Sequence, residues 1–156
     1  MITNVSLLIE TERDGENLSL FVSDAKMRRM SDNTYKISFD ESEGRYGRQR
    51  TDFIVEAKDT VTVISDRCRY FSALGNVEFR SGQRQYLHNP ERAPLTIGLT
   101  TGNIRSTLSD DGGKVEIEYT LDINSAYSVS NKLKLYVRRN KPRRRKTKEK
   151  TERTNI

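Results

Sequence analysis

The sequence predicts an all-β protein, a single antiparallel up-and-down β-barrel of about 8 to 10 strands with a disordered basic tail at its C-terminus. Apolar and polar residues alternate at period two through nearly all of residues 1–137. Sequences rich in Gly, Asn and Asp separate the alternating segments, and no segment of ten or more residues shows helical periodicity. These three observations together are typical of hairpins joined in series.

Residues 115–123 show the alternation most clearly, because charged residues and threonine stand between successive apolar positions. Successive strand side chains point to opposite faces, so this segment has one buried face and one solvated face, as antiparallel sheets do. The same pattern predicts about nine strands. In chain order, their apolar residues are Val5, Leu7 and Ile9; Leu18, Leu20 and Val22; Tyr35, Ile37 and Phe39; Phe53, Val55 and Ala57; Val61 and Val63; Val77 and Phe79; Leu95, Ile97 and Leu99; Val115, Ile117, Tyr119, Leu121 and Ile123; and Leu133, Leu135 and Val137.

Turn residues predict where these strands reverse. Asp14-Gly15 can supply the positive φ of a tight hairpin. The other predicted reversals are Asp32-Asn33, Lys58-Asp59, Gly75-Asn76, Ser81-Gly82, Asp110 to Gly113, and Asn124-Ser125. Residues 24–30 are the one stretch that could be a helix, and we expect them to extend a strand. Pro90 and Pro94 indicate an irregular connection or an edge position. A meander of this kind closes most simply into a barrel, which removes exposed edges.

Charge divides the chain into two parts. Residues 138–156 hold ten Lys or Arg and two Glu, a net charge of +8, whereas residues 1–137 hold 18 basic and 20 acidic side chains. We therefore predict a barrel domain over residues 1–138 and a tail over residues 139–156. A block of like charges has nothing to bury, so we expect the tail to be disordered.

The remaining composition narrows the environment and the chemistry. The single cysteine cannot form an internal disulfide, the first residues lack the pattern of a signal peptide, and no apolar run could span a bilayer. We therefore expect a cytoplasmic protein. With one histidine, His88, and one cysteine, Cys68, we expect neither a metal site nor a Cys–His nucleophile.

Other catalytic arrangements are also not expected. Glu116 and Glu118 fall opposite the apolar face of their strand, where we expect them to be solvated, whereas a carboxyl group that acts as a general acid needs burial or a like-charged neighbour to raise its pKa. Gly112-Gly113 lies between strands, without the helix N-terminus that gives phosphate loops their anion affinity. The sequence therefore predicts no enzyme, no catalytic residue and no cofactor.

Four segments resemble a known family. Residues 77–84 are similar to its F-x-x-G-x-R hairpin, and residues 95–101 resemble its apolar strand after a loop bearing Pro and Gly. Residues 111–121 are similar to its D-x-G-G-x-L-x-I-x-Y-x-L strand, and residues 130–135 match its closing S/G-x-N-x-L-x-I strand. The chain thus resembles the YwiB-like family of bacterial proteins, whose function is unknown.

The resemblance covers much of residues 1–138 and implies a lipocalin-like (calycin) β-barrel in an intracellular bacterial setting. It implies no catalytic residues. Residues 68–72 depart from the glycine-led hairpin of the family, and the loop with Pro90 and Pro94 departs from its aromatic-glycine form. The basic tail lies outside the resemblance.

Two sets of candidate binding residues follow. The first would line the barrel interior and either fill it as a core or leave room for a small apolar ligand. It comprises Tyr35, Phe39, Phe53, Phe79, Tyr119 and Leu121. The second could neutralise the phosphates of RNA, or the charges of another polyanion, without reading sequence. It comprises Arg138, Arg139, Lys141, Arg143, Arg144, Arg145, Lys146, Lys148 and Lys150.

Both sets leave alternatives open. The tail could equally be a solubilising end with no dedicated partner, and it lacks an amphipathic apolar face with which to insert into a membrane. It also has no aromatic residues to stack on bases. We therefore expect a non-enzymatic binding module with a polyanion-binding tail, or alternatively a carrier or sensor of a small apolar ligand.

Overall fold

The structure, a computed structural model, describes residues 2–44, 47–65, 76–87 and 97–141. The described residues form ten β-strands and no helix, so no helix that could cross a membrane occurs among them. The strands are β1 (Ile2–Arg13), β2 (Glu16–Ser31), β3 (Thr34–Gly44), β4 (Gly47–Glu56), β5 (Thr60–Ser65), β6 (Val77–Arg80), β7 (Arg84–Leu87), β8 (Ile97–Ser106), β9 (Gly112–Ile123) and β10 (Tyr127–Arg139).

All ten strands belong to one antiparallel sheet in the order β6-β5-β4-β3-β2-β1-β10-β9-β8-β7. The first and last strands of the chain are neighbours in this order, with Val5 opposite Arg139. Strands β6 and β7 lie at the two ends of the order, yet they follow each other in the chain. The sheet therefore curves until its ends meet, and the predicted up-and-down barrel is confirmed.

Residues 81–83 form the corner at which the two ends meet. The Ser81 N–H donates to the Asp59 carbonyl at 2.9 Å, which ties the corner to the β4–β5 turn. The Gly82 N–H donates to the carbonyls of Thr101 and Gly102, both at 3.0 Å, which ties it to β8. The corner thus joins one end of the sheet order to the other by chain connectivity and by hydrogen bonds.

The predicted strands and turns agree with most of the described structure, although the turn at Ser81-Gly82 links two strands that do not pair with each other, β6 and β7. Asp14 and Gly15 have φ values of 49° and 84°, as the tight hairpin requires. Residues 24–30 extend β2, as expected. Ala57 is a correction, because its φ of 50° places it in the turn after β4 and not in a strand. Gly75, Leu95, Pro90 and Pro94 lie outside the described residues.

A bulge in β2 changes which side chains face the interior. Leu7 pairs with Val22 and Val5 pairs with Ala25, so two residues of β2 stand opposite the single residue Ser6. Inward positions are therefore even-numbered up to Val22 and odd-numbered from Ala25, which is buried. Bulges of this kind bend a strand and increase its twist, which helps a sheet to close.

One end of the barrel is closed by the β8–β9 turn; we call it the capped end. Leu108 in this turn is only 7% exposed and joins the hydrophobic core. The Tyr35 hydroxyl of β3 donates to Asp110 Oδ1 at 3.0 Å, and Arg29 Nη1 of β2 lies 3.4 Å from Asp110 Oδ2. The turn therefore packs across the barrel end as well as linking two strands.

Candidate functional site

Five of the six predicted interior residues belong to the hydrophobic core: Phe39, Phe53, Phe79, Tyr119 and Leu121. The rings of Phe39 and Phe53 are stacked with centroids 6.2 Å apart, and those of Phe79 and Tyr119 lie 4.8 Å apart. Tyr35 is only partly buried, and its hydroxyl reaches the rim at Asp110. These rings pack on one another, so they act as core residues here.

Polar groups form an inner row near the end opposite the cap. Thr101 pairs with Tyr119 across β8 and β9, and Tyr119 pairs with Asn131 across β9 and β10. Arg13 Nε donates to Asn131 Oδ1 at 3.0 Å, and Asn131 Nδ2 donates to the Val129 carbonyl at 3.1 Å. The buried Thr101 hydroxyl has no hydrogen-bond partner among the described residues. Burial raises the pKa of Tyr119, and the charge of Arg13 lowers it by less.

A groove of about 420 Å³ adjoins this row, and Tyr119 and Asn131 both line it. The groove is open to solvent. Of the places that the structure describes, it is the one where buried polar groups come nearest to a cavity. It could receive a small ligand that presents a polar group to the inner row.

The end of β10 and the residue that follows it are held in place on the barrel. Arg138 and Arg139 are the last two residues of β10, and Asn140 is then held to the barrel wall. Its N–H donates to the Asn4 carbonyl at 2.9 Å, its Nδ2 donates to the Ser23 carbonyl at 2.9 Å, and its Oδ1 accepts from Ser6 Oγ at 2.6 Å. The chain therefore leaves the barrel at a defined point over β1 and β2.

Only part of the predicted basic set lies in the described residues. Arg139 pairs with Asp111, with Nη1 and Oδ1 3.4 Å apart, whereas Arg138 and Lys141 are exposed and form no ion pair within the described part of the chain. The other predicted residues lie outside it: Arg143, Arg144, Arg145, Lys146, Lys148 and Lys150. Their role and the disorder expected for the tail stay predictions.

A groove of about 390 Å³ lies beside the end of β10, and both basic and apolar side chains line it. The basic residues are Arg138, Arg139 and Lys141. On the outer face, Leu8 of β1 pairs with Phe21 of β2 on one side and with Tyr136 of β10 on the other. We call these three residues the outer apolar row. Phe21 is 63% exposed.

Sequence reasoning missed the outer apolar row, although the sequence carried a signal for it. Phe21 stands between the inward positions Leu20 and Val22, and Tyr136 stands between the inward positions Leu135 and Val137. Each aromatic side chain thus occupies a position where the alternation assigns a solvated residue. Large apolar side chains that share an outward row are unusual enough to indicate a binding surface.

A third groove, of about 440 Å³, is lined by residues of β2, β3 and β4. Arg28 and Lys36 stand directly opposite each other in the register, where like charges destabilise a sheet. Lys26, next along the same face, bonds to Asn4, the residue that also holds Asn140. Four basic and two acidic side chains line this groove, so it carries net positive charge: Lys26, Arg28, Lys36, Arg50, Asp24 and Asp40.

The residues considered for catalysis give no assembled site where they are described. Glu116 Oε1 lies 2.5 Å from Lys114 Nζ, and this hydrogen bond lowers the pKa of Glu116. Glu118 is exposed, with Oε1 3.9 Å from Lys132 Nζ. No group of three or more His, Cys, Asp or Glu side chains arranged to hold a metal occurs in the described ranges. Cys68 and His88 lie outside them.

Comparisons with known proteins agree with the resemblance seen in the sequence. Residues 5–135 match the model of a family described as a domain of unknown function, DUF1934. The ywiB protein from Bacillus subtilis, known from a crystal structure, has 18% sequence identity and a TM-score of 0.63, over 90% of this chain and 94% of that chain. No curated protein sequence matches. Because the family model spans most of the barrel, the chain belongs to the DUF1934 family, and its resemblance to the YwiB-like proteins is confirmed.

Proposed function

We propose that this protein is a non-enzymatic binding module of the bacterial cytoplasm whose basic C-terminal segment binds RNA or another polyanion without reading sequence. The observation that supports the proposal most directly is the anchoring of Asn140 by three hydrogen bonds to β1 and β2. These hydrogen bonds hold the start of the basic segment at one place on the barrel surface. Arg138 and Lys141 belong to this segment, and neither forms an ion pair with a carboxylate among the described residues. Both are therefore available to contact a phosphate.

The physical basis of this binding is charge neutralisation. Each Lys or Arg that contacts a phosphate releases a condensed counterion, so affinity falls steeply as salt rises. Residues 138–156 hold ten basic side chains. If about half of them contact a single strand, the slope of log K against log salt is roughly −3 to −4. The positive groove along β2, β3 and β4 lies on the same side as Asn140 and would add to this attraction.

A binding titration tests the proposal. Fluorescence anisotropy of a labelled RNA is measured between about 0.05 and 0.3 M salt for the full chain and for a chain that ends at Lys141, which keeps the Asn140 anchor. We expect strong salt dependence and a loss of most of the affinity on truncation. The 260/280 nm absorbance ratio after purification at low and at high salt gives an independent check for co-purified nucleic acid.

A second variant separates the contribution of the tail to RNA binding from that of the barrel surface. Replacing Arg143, Arg144 and Arg145 by Ser removes charge from the tail and leaves every described contact of the barrel in place. This variant should bind RNA more weakly and with a smaller salt slope. Binding that is unchanged by both tail variants, or the absence of any binding to RNA and heparin at the lowest salt, would refute the proposal.

The second candidate function is a carrier or sensor of a small, largely apolar ligand. The observation that favours it is the buried Thr101 hydroxyl, which lacks a partner among the described residues and lies in the inner row with Tyr119 and Asn131. An unpaired buried hydroxyl costs about 1–3 kcal/mol, and a ligand could relieve that cost. Native mass spectrometry tests it: a bound small molecule should be present in the purified chain and weakened by Thr101→Val.

A further inference from the structure

The outer apolar row is flanked along β1 by two polar residues on the same outward face, Ser6 and Glu10. Phe21, Leu8 and Tyr136 are direct cross-strand neighbours on β2, β1 and β10. Two strand spacings separate the outer members, so Phe21 and Tyr136 stand about 10 Å apart with Leu8 between them. The exposure of Phe21 leaves most of its ring in water, at a position where the fold would accept a polar residue. Packing of the barrel core therefore does not account for an aromatic residue at this position.

Positive charge borders the row on the side of the capped end. Arg138 follows Tyr136 on the same outward face, and Lys141 lines the same groove. On the β9 side, Lys114 Nζ lies 5.3 Å from the centroid of the Tyr136 ring. This cation–π contact holds the Tyr136 ring, and Tyr136 lines the groove together with Leu8 and Phe21. Aromatic rings and unpaired guanidinium and ammonium groups thus meet in one place.

We propose that the outer apolar row is a base-stacking platform, so that the protein binds single-stranded nucleic acid in preference to duplex. Phe21 and Tyr136 stack on unpaired bases, while Arg138 and Lys141 neutralise the phosphates that follow. This inference rests on the proposed function and adds selectivity to it. Any unpaired base offers a face for stacking, whereas the bases inside a duplex are already stacked on one another.

The chemistry of the row disfavours two other occupants. A second copy of the chain, packed through a two-fold interface, would bring the same basic residues of both copies together around the row. The tail of the same chain offers little to cover an aromatic row, because Pro142 and Ile156 are its only apolar residues after Lys141. Single-stranded nucleic acid supplies both the flat apolar faces and the negative charge that the groove lacks.

The test compares single strands with duplexes on the full chain. Labelled RNA and DNA of about 12 nucleotides, and the corresponding duplexes, are titrated by anisotropy at one salt concentration. We expect the single strands to bind roughly tenfold or more tightly than the duplexes, given the range of stacking energies for one or two bases. The RNA and DNA arms report whether the platform also distinguishes the sugar.

Substitutions on β2 assign the effect to the platform. Phe21→Ala should weaken binding of the single strand roughly 5- to 100-fold and leave duplex binding and the salt slope unchanged. Leu18→Ala is the matched control, since Leu18 is 58% exposed on the same strand but does not line the groove. Phe21→Trp should retain binding and introduce the one tryptophan of the chain, whose fluorescence single strands should quench and duplexes should not.

The possible outcomes separate this inference from the function on which it rests. Equal binding of single strands and duplexes, or no effect of Phe21→Ala, overturns the platform and leaves a tail that binds polyanions. No binding of any nucleic acid overturns the platform, and if heparin is not bound either, the proposed function is overturned as well. If sedimentation shows that Phe21→Ala converts a dimer into a monomer, the row is a self-interface and the platform is wrong.

Discussion

Gly113 shows how a single residue allows the β8–β9 turn to pack against its surroundings. Its φ is 145°, in a region that side chains rarely adopt, and a Cβ added there would lie 2.5 Å from the Thr107 carbonyl oxygen. The Thr107 N–H donates to the Lys114 carbonyl at 2.9 Å, so this part of the backbone cannot easily move away. The turn that carries Leu108 and Asp110 therefore depends on the absence of a side chain at Gly113.

We predict that Gly113→Ala lowers the free energy of unfolding by about 3 kcal/mol, from backbone strain together with the clash. Gly15→Ala is the matched control, because Gly15 also has a positive φ, 84°, but has nothing within 4 Å of an added Cβ. It should cost only about 1 kcal/mol. Urea denaturation of both variants measures the difference, and equal losses would contradict the prediction.

Because of Tyr119, we expect the free energy of unfolding to vary with pH in the alkaline range. Burial raises its pKa above the ordinary value of 10.0. Between that value and the raised one, the unfolded chain loses the phenolic proton while the folded chain keeps it, so unfolding is favoured as the pH rises. The contribution is fully present below pH 10.0 and is lost as the pH rises through the raised pKa.

We therefore predict that Tyr119→Phe unfolds at a higher pH than the native chain. Other tyrosines and lysines titrate in the same range, but they are common to both proteins. The measurement is the difference in free energy of unfolding between variant and native chain, taken near neutrality and at several pH values above about 10. A difference that does not change with pH would show that the phenol of Tyr119 is not protected by burial.

At the scale of elements, the strands were predictable because burial alternates along them. In β9, the positions from Val115 to Leu121 that the alternation assigns to the core are all buried. Inside β2 the inward-facing positions change from even-numbered to odd-numbered residues. This change was not predictable, because it comes from a bulge opposite Ser6 of β1. For β7, the turn residues Ser81-Gly82 indicated a second short strand, although Tyr86 is 67% exposed and the local sequence lacks a buried row. Here pairing with β8 determines the strand.

The candidate site was predictable to a similar degree. The basic tail was visible as composition, whereas its fixed origin depends on hydrogen bonds from Asn140 to residues more than 100 positions away in the chain. The outer apolar row likewise joins Phe21 and Tyr136 through Leu8, and only the sheet order places these three strands side by side. The alternation marks Phe21 and Tyr136 as unusual outward residues, but their proximity depends on the order of the strands in the closed sheet and has no local sequence signal.

The β8–β9 turn gives a prediction at the same scale. Leu108→Ala should cost about 2–4 kcal/mol, because it removes the side chain that closes the capped end and leaves a cavity. Leu18→Ala, at an exposed leucine, should change stability by no more than about 0.5 kcal/mol. Thermal unfolding followed by circular dichroism compares the two variants. If the two variants are equally stable, the Leu108 side chain covers the core without contributing to the free energy of unfolding.

At the scale of the whole molecule, closure depends on two joins of different kinds. The β1–β10 join is a long ladder, with paired residues from Val5 opposite Arg139 to Arg13 opposite Asn131. The join between β6 and β7 is the short corner at residues 81–83, where a few hydrogen bonds link opposite ends of the sheet order. The second join is therefore the weaker one, and it leaves two strands of four residues each as potential edges.

Insertions into two loops test whether the corner at residues 81–83 contributes more to stability than an ordinary hairpin turn does. A flexible Gly/Ser insertion of about twelve residues after Gly15 should cost roughly 2 kcal/mol, mainly through loop entropy. The same insertion between Ser81 and Gly82 should cost about 2–3 kcal/mol more, because the hydrogen bonds of Ser81 and Gly82 to the β4–β5 turn and to β8 contribute roughly 1 kcal/mol each. Denaturant midpoints of the two full-length variants measure the difference. A corner insertion tolerated as well as the hairpin insertion would mean that the barrel is held closed by its core alone, since the corner would then contribute only connectivity.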